Sequence, residues 1–332
     1  MASLTAPVSL YRDPAIFERE RETIFARSWQ YMGLEADLHR AGDFISQTLA
    51  DYPVFVVRDE GGALRGFHNV CPHRAGPLVG EARGRCDREI VCRYHSWRFG
   101  FDGRLHAATG FGPASGLNIA DYGLFPVRVE TWCGFVFVNL DANAAPLSET
   151  TRPLDARFGN RSRLSARIED KHRIACNWKV FTENYLEGYH IGGVHQHLDA
   201  EVHAGAEHKV CIDGDVAYHE IDAAKGDPKA LWAWVWPNLG LTLNRGVLCV
   251  AQIRPLGPDT TLIEHLYLHE PEEPGIDAAL YASEKITEED AWICERVQRN
   301  LDAGIYKRGP LSEANESSVA WFQARVQRAL GV

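Results

Sequence analysis

The sequence predicts an α+β protein in which a small all-β domain lies between segments that combine helices with further strands. The chain has 332 residues, and at about 150 residues per domain roughly two domains are expected. Short β-prone runs separated by Gly- and Pro-rich turns fill residues 43–140. Amphipathic helical patterns occupy the two ends of the chain instead.

The composition excludes several classes of function. It is 45% hydrophobic and 24% charged, as in an ordinary globular protein. The formal net charge of −10 disfavours binding to nucleic acid or to an anionic membrane surface. No apolar run approaches the roughly 18 residues of a membrane span, and the first residues do not resemble a signal peptide. We therefore expect a cytoplasmic protein without a nucleic-acid or membrane partner.

The individual elements follow from local patterns. Asp13 and Pro14 suit the start of a helix that runs to Trp29. The runs VFVVRD, REIVCRYH, FPVRVETW and GFVFVNL predict strands, and DANAAPLSETTRP predicts a linker. Further on, a helix is expected over 178–190, strands over 217–270 and a helix over 283–303.

Two short loops form the first candidate metal site. One residue separates Cys71 from His73, and two separate Cys92 from His95. Each loop directs two ligands at one point, and the strand between them can bring the loops together. Two thiolates and two imidazoles fit either a tetrahedral zinc ion or a two-iron cluster with mixed ligation.

A second candidate site lies in the segment NWKVFTENYLEGYHIGGVHQH. His190 and His195 are five residues apart, so on a continuous helix their side chains would point about 140° apart. Both can bind one metal only if the helix ends between them, and we expect Gly192 and Gly193 to end it. Glu187, three residues before His190, would share its helix face.

Both segments resemble motifs of the Rieske non-heme iron oxygenases. Cys-Pro-His-Arg and Cys-Arg-Tyr-His-Ser-Trp with their flanks resemble the Rieske [2Fe–2S] motif, and the second segment resembles the iron signature of the catalytic (alpha) subunit. The resemblance implies a Rieske domain inserted in a helix-grip catalytic domain of antiparallel sheet plus helices. The implied limits are 1–40 for the N-terminal part of the catalytic domain, 41–142 for the Rieske domain and 143–332 for the catalytic domain.

The resemblance implies that Cys71 and Cys92 hold one iron of the [2Fe–2S] cluster and that His73 and His95 hold the other. The interval of 18 residues between the two loops is slightly longer than is usual in the family. It contains Cys86, which we expect to be a bystander.

The resemblance also implies a mononuclear Fe(II) site. His190 and His195 would bind this iron with an Asp from a late helix, which completes a facial triad and leaves positions for O₂. Asp290 is the best match for that residue, and its neighbour Glu289 is the alternative. Asn184 would either face the iron or satisfy backbone groups.

Electron transfer in this family implies an assembly. The chain is expected to form a head-to-tail homotrimer, or a multiple of trimers, in which Glu187 hydrogen-bonds to His95 or His73 of the partner subunit. Glu187→Ala is then predicted to keep both metals and to lose most coupled turnover. No nicotinamide or flavin motif occurs, so electrons from NAD(P)H must come through a separate reductase, with or without a ferredoxin.

The implied activity is that of a terminal oxygenase that monooxygenates a small organic substrate, by hydroxylation or oxidative N-demethylation. In having Glu rather than Asp at position 187, the sequence resembles the branch of the family that oxidises quaternary ammonium compounds such as carnitine and glycine betaine. The stretch EEDAWICERVQRNL resembles choline-monooxygenase-like enzymes. The alternatives are the alpha subunit of an aromatic-ring hydroxylating dioxygenase, a Rieske electron carrier and a zinc-stabilised binding module.

Three tryptophans form the candidate substrate site. Trp232, Trp234 and Trp236 alternate, so on a strand they would face one side. They could cage a quaternary ammonium group through cation–π contacts, stack on an aromatic substrate or fill the core. Three other histidines are expected to be surface or core residues rather than ligands: His197, His203 and His208.

Overall fold

The computed structural model describes residues 3–112, 115–158, 164–195, 210–221, 230–244, 246–273 and 275–332. The chain divides into two units, one formed by Phe25–Glu149 and the other by Met1–Ile24 together with Thr150–Val332. The expected limit at residue 40 is therefore wrong, because residues 30–34 form a strand that pairs with residues 135–138 of the smaller unit. The second limit falls inside the predicted linker, seven residues after 142.

The smaller unit consists mainly of β-strands. In its described residues they are β1 (Gln30–Leu34), β2 (Asp43–Leu49), β3 (Tyr52–Arg58), β4 (Leu64–His68), β5 (Arg83–Arg85), β6 (Ile90–Val91), β7 (Arg98–Phe99), β8 (Leu105–Ala107), β9 (Pro126–Trp132) and β10 (Phe135–Asn139). Among the described residues, seven strands form a sheet in the order β1-β10-β9-β4-β3-β2-β5, and three form a second sheet in the order β6-β7-β8. All of these paired strands are antiparallel, and each of the four predicted runs overlaps a strand.

Strand β3 is buried on both faces, which explains its continuous apolar run. Phe55 and Val57 belong to one core, together with Cys71 and Cys92. Val54 and Val56 point the other way, because side chains alternate along a strand, and belong to a second core. The two Cys/His loops are thus anchored in a hydrophobic core.

The larger unit contains a sheet of its own, whose described strands are β11 (Ala166–Ile174), β12 (Cys211–Asp213), β13 (Val216–Ile221), β14 (Ala230–Val235), β15 (Leu239–Asn244), β16 (Val247–Pro255) and β17 (Thr261–His269). In the described part of the chain its order is β11-β17-β16-β15-β14-β13-β12, with antiparallel pairing throughout. This arrangement confirms the predicted α+β class with an antiparallel catalytic sheet.

The α-helices in the described part of the chain are α1 (Ser9–Arg12), α2 (Pro14–Glu20), α3 (Leu147–Thr151), α4 (Asp155–Phe158), α5 (Trp178–Tyr185), α6 (Ile191–Val194), α7 (Ile276–Asp302) and α8 (Ser317–Leu330). Asp13 caps α2, as predicted, by accepting a hydrogen bond from the Ala15 amide at 2.9 Å. After Glu20 the chain continues as a π-helical turn over Arg21–Phe25. Among the described helices, none is both long and apolar enough to cross a membrane.

Helix α5 is fixed in place by a buried ion pair and by a close approach to the sheet. Lys179 donates to Glu20 at 2.5 Å, and both side chains are fully buried. At the other end of the helix, Tyr185 packs against Gly240 so closely that a Cβ there would lie 2.5 Å from the tyrosine ring. Glycine at this position therefore lets α5 lie directly on β15.

Candidate functional site

The two Cys/His loops have the same backbone construction. Cys71 follows β4, and Cys92 follows β6. In each loop the residue four positions after the cysteine has a positive φ, +54° at Ala75 and +57° at Ser96. The amide of that residue donates to the carbonyl oxygen of the cysteine at 2.9 Å in both loops. Two equivalent tight turns therefore present the four side chains.

In these two loops the cysteine side chains are more deeply buried than the histidine side chains. Cys71 and Cys92 are buried, and their thiols are close enough to hydrogen-bond with each other. Burial and the neighbouring thiol raise the pKa of Cys71. His73 and His95 are only half-buried, with ring centroids 4.6 Å apart. The Nδ1 atom of His73 is buried without a hydrogen-bond partner, as expected for an atom that binds a metal.

The spacing of the donors favours a two-iron cluster over zinc. A single tetrahedral zinc ion gathers its ligands at about 2.0–2.3 Å from one point. Among the described residues, the sets of three donor atoms that lie within 4.8 Å of one another do not include the four side chains of these loops. The half-buried Cys86 packs beside this core, and burial raises the pKa of its thiol to about 11. Its expected role as a bystander stays a prediction.

The second candidate site is built around the end of α5. The helix ends at Tyr185, and His190 and His195 flank the short helix α6. The expectation that a helix continues to His190 and stops at Gly192 and Gly193 is therefore wrong, because these glycines lie inside α6. The Glu187 carboxylate accepts hydrogen bonds from the backbone amides of Tyr189 and His190, which turns the chain before the first histidine.

The two histidines and Asp290 converge on one point. One donor atom of each lies within 4.8 Å of the others. Oδ1 of Asp290 is 3.0 Å from Nε2 of His195 and 3.5 Å from Nε2 of His190. Two imidazoles and a carboxylate in this arrangement match the facial triad that binds Fe(II). The geometry favours Asp290 over Glu289 as the third ligand.

Carboxylates on the far side of each imidazole hold the rings in orientation. Nδ1 of His190 is 2.7 Å from Glu187, and Nδ1 of His195 is 2.7 Å from Glu289. Such outer carboxylates fix the tautomer, so that Nε2 faces the metal. The sequence analysis considers Glu289 only as an alternative iron ligand and does not predict its contact with His195. Its position next to Asp290 on a helix is the signal that could have suggested this contact.

The side chains of His190, His195 and Asp290 shift one another's pKa values. Burial acts to lower the pKa of His190, but hydrogen bonds to Asp290 and Glu187 outweigh it and raise this pKa to about 9. Burial would raise the pKa of Asp290, but hydrogen bonds from His190, His195 and Asn184 hold it below its ordinary value. A metal ion must therefore displace protons from the imidazoles when it binds.

Comparisons with known proteins match the two parts of the chain to two protein domains. Residues 28–121 match the Rieske [2Fe–2S] domain, and residues 161–331 match the catalytic domain of the ring hydroxylating alpha subunit. The chain is 32% identical to choline monooxygenase of Arabidopsis thaliana, covering 92% of this chain and 78% of that protein. This chain belongs to the Rieske oxygenase alpha subunits. Its cofactors are accordingly a [2Fe–2S] cluster and a mononuclear iron, with O₂ as co-substrate and NAD(P)H as the electron source through a reductase.

Two further relatives of this Rieske oxygenase place it in the choline and carnitine monooxygenase-like branch. The oxygenase subunit of carnitine monooxygenase from Escherichia coli (strain K12) is 28% identical, over 91% of this chain and 86% of that protein. The structure of the quaternary ammonium Rieske monooxygenase CntA in complex with L-carnitine has a TM-score of 0.86 and 26% identity. That alignment covers 99% of this chain and 96% of CntA.

Asn184 of the oxygenase touches the triad rather than the backbone. Its side-chain amide donates to Oδ1 of Asp290 at 2.7 Å. It therefore orients the oxygen that faces both histidines. His197, His203 and His208 lie outside the described residues.

The three tryptophans have different surroundings. Trp232 is half-buried, and two rings stack on it, Tyr185 at 5.2 Å and His219 at 4.8 Å between centroids. Trp234 is fully buried, and Trp236 lies beyond the end of β14 and is also buried. The expectation that all three share one face of a strand is therefore wrong for Trp236. Trp232 stays a candidate for substrate contact, whereas the other two are core residues.

A cavity of about 650 Å³ lies among α5, α7, α8 and the N-terminal segment. Tyr11, Glu183, Glu187, Ile293 and Gln323 contribute to its wall. The three tryptophans do not line it, so it is separate from the aromatic group on the sheet. Glu187 lines this cavity and contacts His190, and thereby links one of the three converging side chains to an accessible space.

Proposed function

We propose that the chain is the terminal oxygenase component of a system that monooxygenates a small quaternary ammonium compound, by hydroxylation or oxidative N-demethylation. The observation that carries this proposal is the convergence of His190, His195 and Asp290 on one point, in a chain that also has the two Cys/His loops. When bound, the cluster would supply single electrons and the mononuclear iron would activate O₂. The cytoplasmic location expected from the sequence stays a prediction.

The residues of this chain have separate tasks in the proposed reaction. Nε2 of His190, Nε2 of His195 and Oδ1 of Asp290 would hold the iron on one side and leave its other side to O₂ and substrate. Glu187, Glu289 and Asn184 would fix the orientation of these three ligands. The roles rest on the distances given above and on the family's chemistry.

The choice of a quaternary ammonium substrate has three supports. The relatives named above are choline and carnitine monooxygenases, and position 187 carries Glu. The aromatic group of Trp232, Tyr185 and His219 lies on the face of the sheet against which α5 packs. Aromatic rings attract cations through their faces and can receive a trimethylammonium group.

A substrate panel tests the proposal. We expect choline, glycine betaine, L-carnitine or γ-butyrobetaine to give O₂ uptake coupled to product, with formaldehyde as the sign of N-demethylation. The matched control is 3,3-dimethylbutan-1-ol, the neutral carbon analogue of choline, which lacks the cation–π attraction and should react about tenfold less efficiently. Turnover of naphthalene with no turnover of any ammonium compound would contradict the proposal and favour the ring dioxygenase.

We further propose a head-to-tail homotrimer served by a separate reductase. Glu187 would then hydrogen-bond to His95 or His73 of the partner subunit and carry electrons to His190, which its carboxylate contacts at 2.7 Å. The contact of Glu187 with both His190 and the cavity supports this route.

Complementation between two inactive variants tests the assembly. Cys92→Ser should lack the cluster, and His195→Ala should lack the mononuclear iron. Mixed oligomers, produced by coexpression, should recover activity because the intact cluster of one subunit can serve the intact iron of another. Oligomers of either variant alone are the controls. Mixed oligomers that form but remain inactive would contradict electron transfer between subunits.

A further inference from the structure

A second set of metal-type ligands lies on the catalytic sheet. Asp170 and His172 are on β11, and His265 is on β17. One donor atom of each lies within 4.8 Å of the others. Asp170 and His172 share a face because they are two residues apart on a strand, and Asp170 pairs directly with His265.

The burial of these side chains gives the set a closed end and an open end. His265 is 7% exposed, and its Nδ1 has no hydrogen-bond partner. A buried imidazole nitrogen without a partner loses the hydrogen bond that it had in water, and a metal ion bound there would replace it. The side chains of His172 and Asp170 are 22% and 35% exposed, and Nε2 of His172 lies 2.5 Å from Oδ2 of Asp170. An ion can therefore reach His265 past two accessible ligands.

The position of β11 gives this access a structural basis. Within the described residues it is the outer strand of its sheet, next to β17. A groove at this edge is lined by His172, Ile174, Trp292 and Glu295, among others. The set shares no residue with the triad of His190, His195 and Asp290, although the Asp290 carboxylate acts electrostatically on His265.

We propose that Asp170, His172 and His265 bind one divalent transition-metal ion, of which zinc is the probe of choice. Two imidazole nitrogens and one carboxylate oxygen are ligands that zinc accepts in tetrahedral sites, and three protein ligands leave the fourth position to water. Zinc also binds more tightly than Mn²⁺ or Fe²⁺ to nitrogen and oxygen ligands of this kind. The site is additional to the two iron centres of the proposed function.

Zinc uptake by the iron-loaded enzyme tests this site. Wild type, Asp170→Asn and His172→Gln are dialysed against buffered free zinc, and zinc and iron per chain are measured in the same samples. The half-exposed residues are chosen because His265 is in the core and its replacement risks misfolding. The control is His106→Gln, since His106 pairs with Glu89 at 2.9 Å but belongs to no three-ligand set among the described residues.

The expected result, in wild type and in the control, is one zinc per chain in excess of any zinc that replaces mononuclear iron, a replacement that the iron content of the same samples reports. Loss of an outer partner alone weakens a metal site about 10–100-fold, so loss of a direct ligand in either test variant should weaken zinc binding at least 100-fold. An anomalous-scattering peak between β11 and β17 should mark the ion in crystals of the wild type.

Two outcomes would overturn the proposal. Equal zinc uptake by wild type and both test variants would place the ion elsewhere. No additional zinc in wild type would leave Asp170 and His172 as an ion pair at the sheet edge and His265 as a core residue. Iron content and oxygenase activity are separate readings, so neither outcome bears on the proposed function.

Discussion

Asp290→Ala should abolish coupled O₂-dependent turnover while leaving the [2Fe–2S] cluster intact. Oδ1 of Asp290 faces Nε2 of both His190 and His195, at 3.5 and 3.0 Å. Removing it leaves two ligands for Fe(II), and the activity should fall at least about 100-fold, since even outer partners of a metal site are worth 10–100-fold. Iron per chain should fall from about three to about two, because the cluster keeps its own two.

The two acidic neighbours of Asp290 provide matched controls on the same helix. Glu288 is paired with Lys285 on the surface, so Glu288→Ala should leave iron content and turnover unchanged. Glu289 accepts from Nδ1 of His195, so Glu289→Ala should weaken iron binding and activity about 10–100-fold without abolishing either. The three variants should thus form a graded series.

Iron analysis, the rhombic paramagnetic signal of the reduced cluster and product-coupled O₂ uptake together check this series. A full complement of iron in Asp290→Ala, with that iron lost instead in Glu289→Ala, would reverse the assignment of the third ligand. Loss of the cluster signal in Asp290→Ala would show that the substitution acts on folding rather than on one metal site.

The ligand types of both centres could be predicted from the sequence because their spacing is local. Cys71 with His73, and Cys92 with His95, lie within single turns, so the sequence alone groups each pair. The fold class could be predicted for a similar reason, since alternation and apolar runs report which strand faces are buried. The identification of Asp290 depended on family resemblance, because some 95 residues separate it from His195.

The errors come from interactions that are invisible in local patterns. The expected limit at residue 40 counts Gln30–Leu34 with the catalytic domain, because the strand with which this segment pairs lies about 100 residues later in the chain. Gly192 and Gly193 were expected to end α5, but the Glu187 carboxylate binds backbone amides ahead of them and turns the chain first. Trp236 continues the alternation in sequence, yet it lies beyond β14, and its ring packs against Phe322 of α8.

Glu187→Gln should separate the two roles that the structure and the family give to this residue. The carboxylate accepts from Nδ1 of His190 at 2.7 Å, which orients an iron ligand. The sequence led us to expect that Glu187→Ala keeps both metals. The contact with His190 now predicts weaker iron binding in that variant, by about 10–100-fold. Glutamine retains an oxygen that can accept from Nδ1, so Glu187→Gln should keep its iron.

If Glu187 also carries electrons between subunits, both variants should be slow in a single turnover. Enzyme with a reduced cluster is mixed with O₂ and substrate, and reoxidation of the cluster is followed by its absorbance. We expect the rate to fall at least about tenfold in iron-replete Glu187→Gln, because the negative charge that would attract the partner's histidine is gone. Glu183→Gln is the control, since Glu183 lines the same cavity but accepts from Tyr11 at 2.6 Å. If the cluster of Glu187→Gln is reoxidised at the wild-type rate, and only that of iron-poor Glu187→Ala is reoxidised slowly, the role of Glu187 is limited to orienting His190.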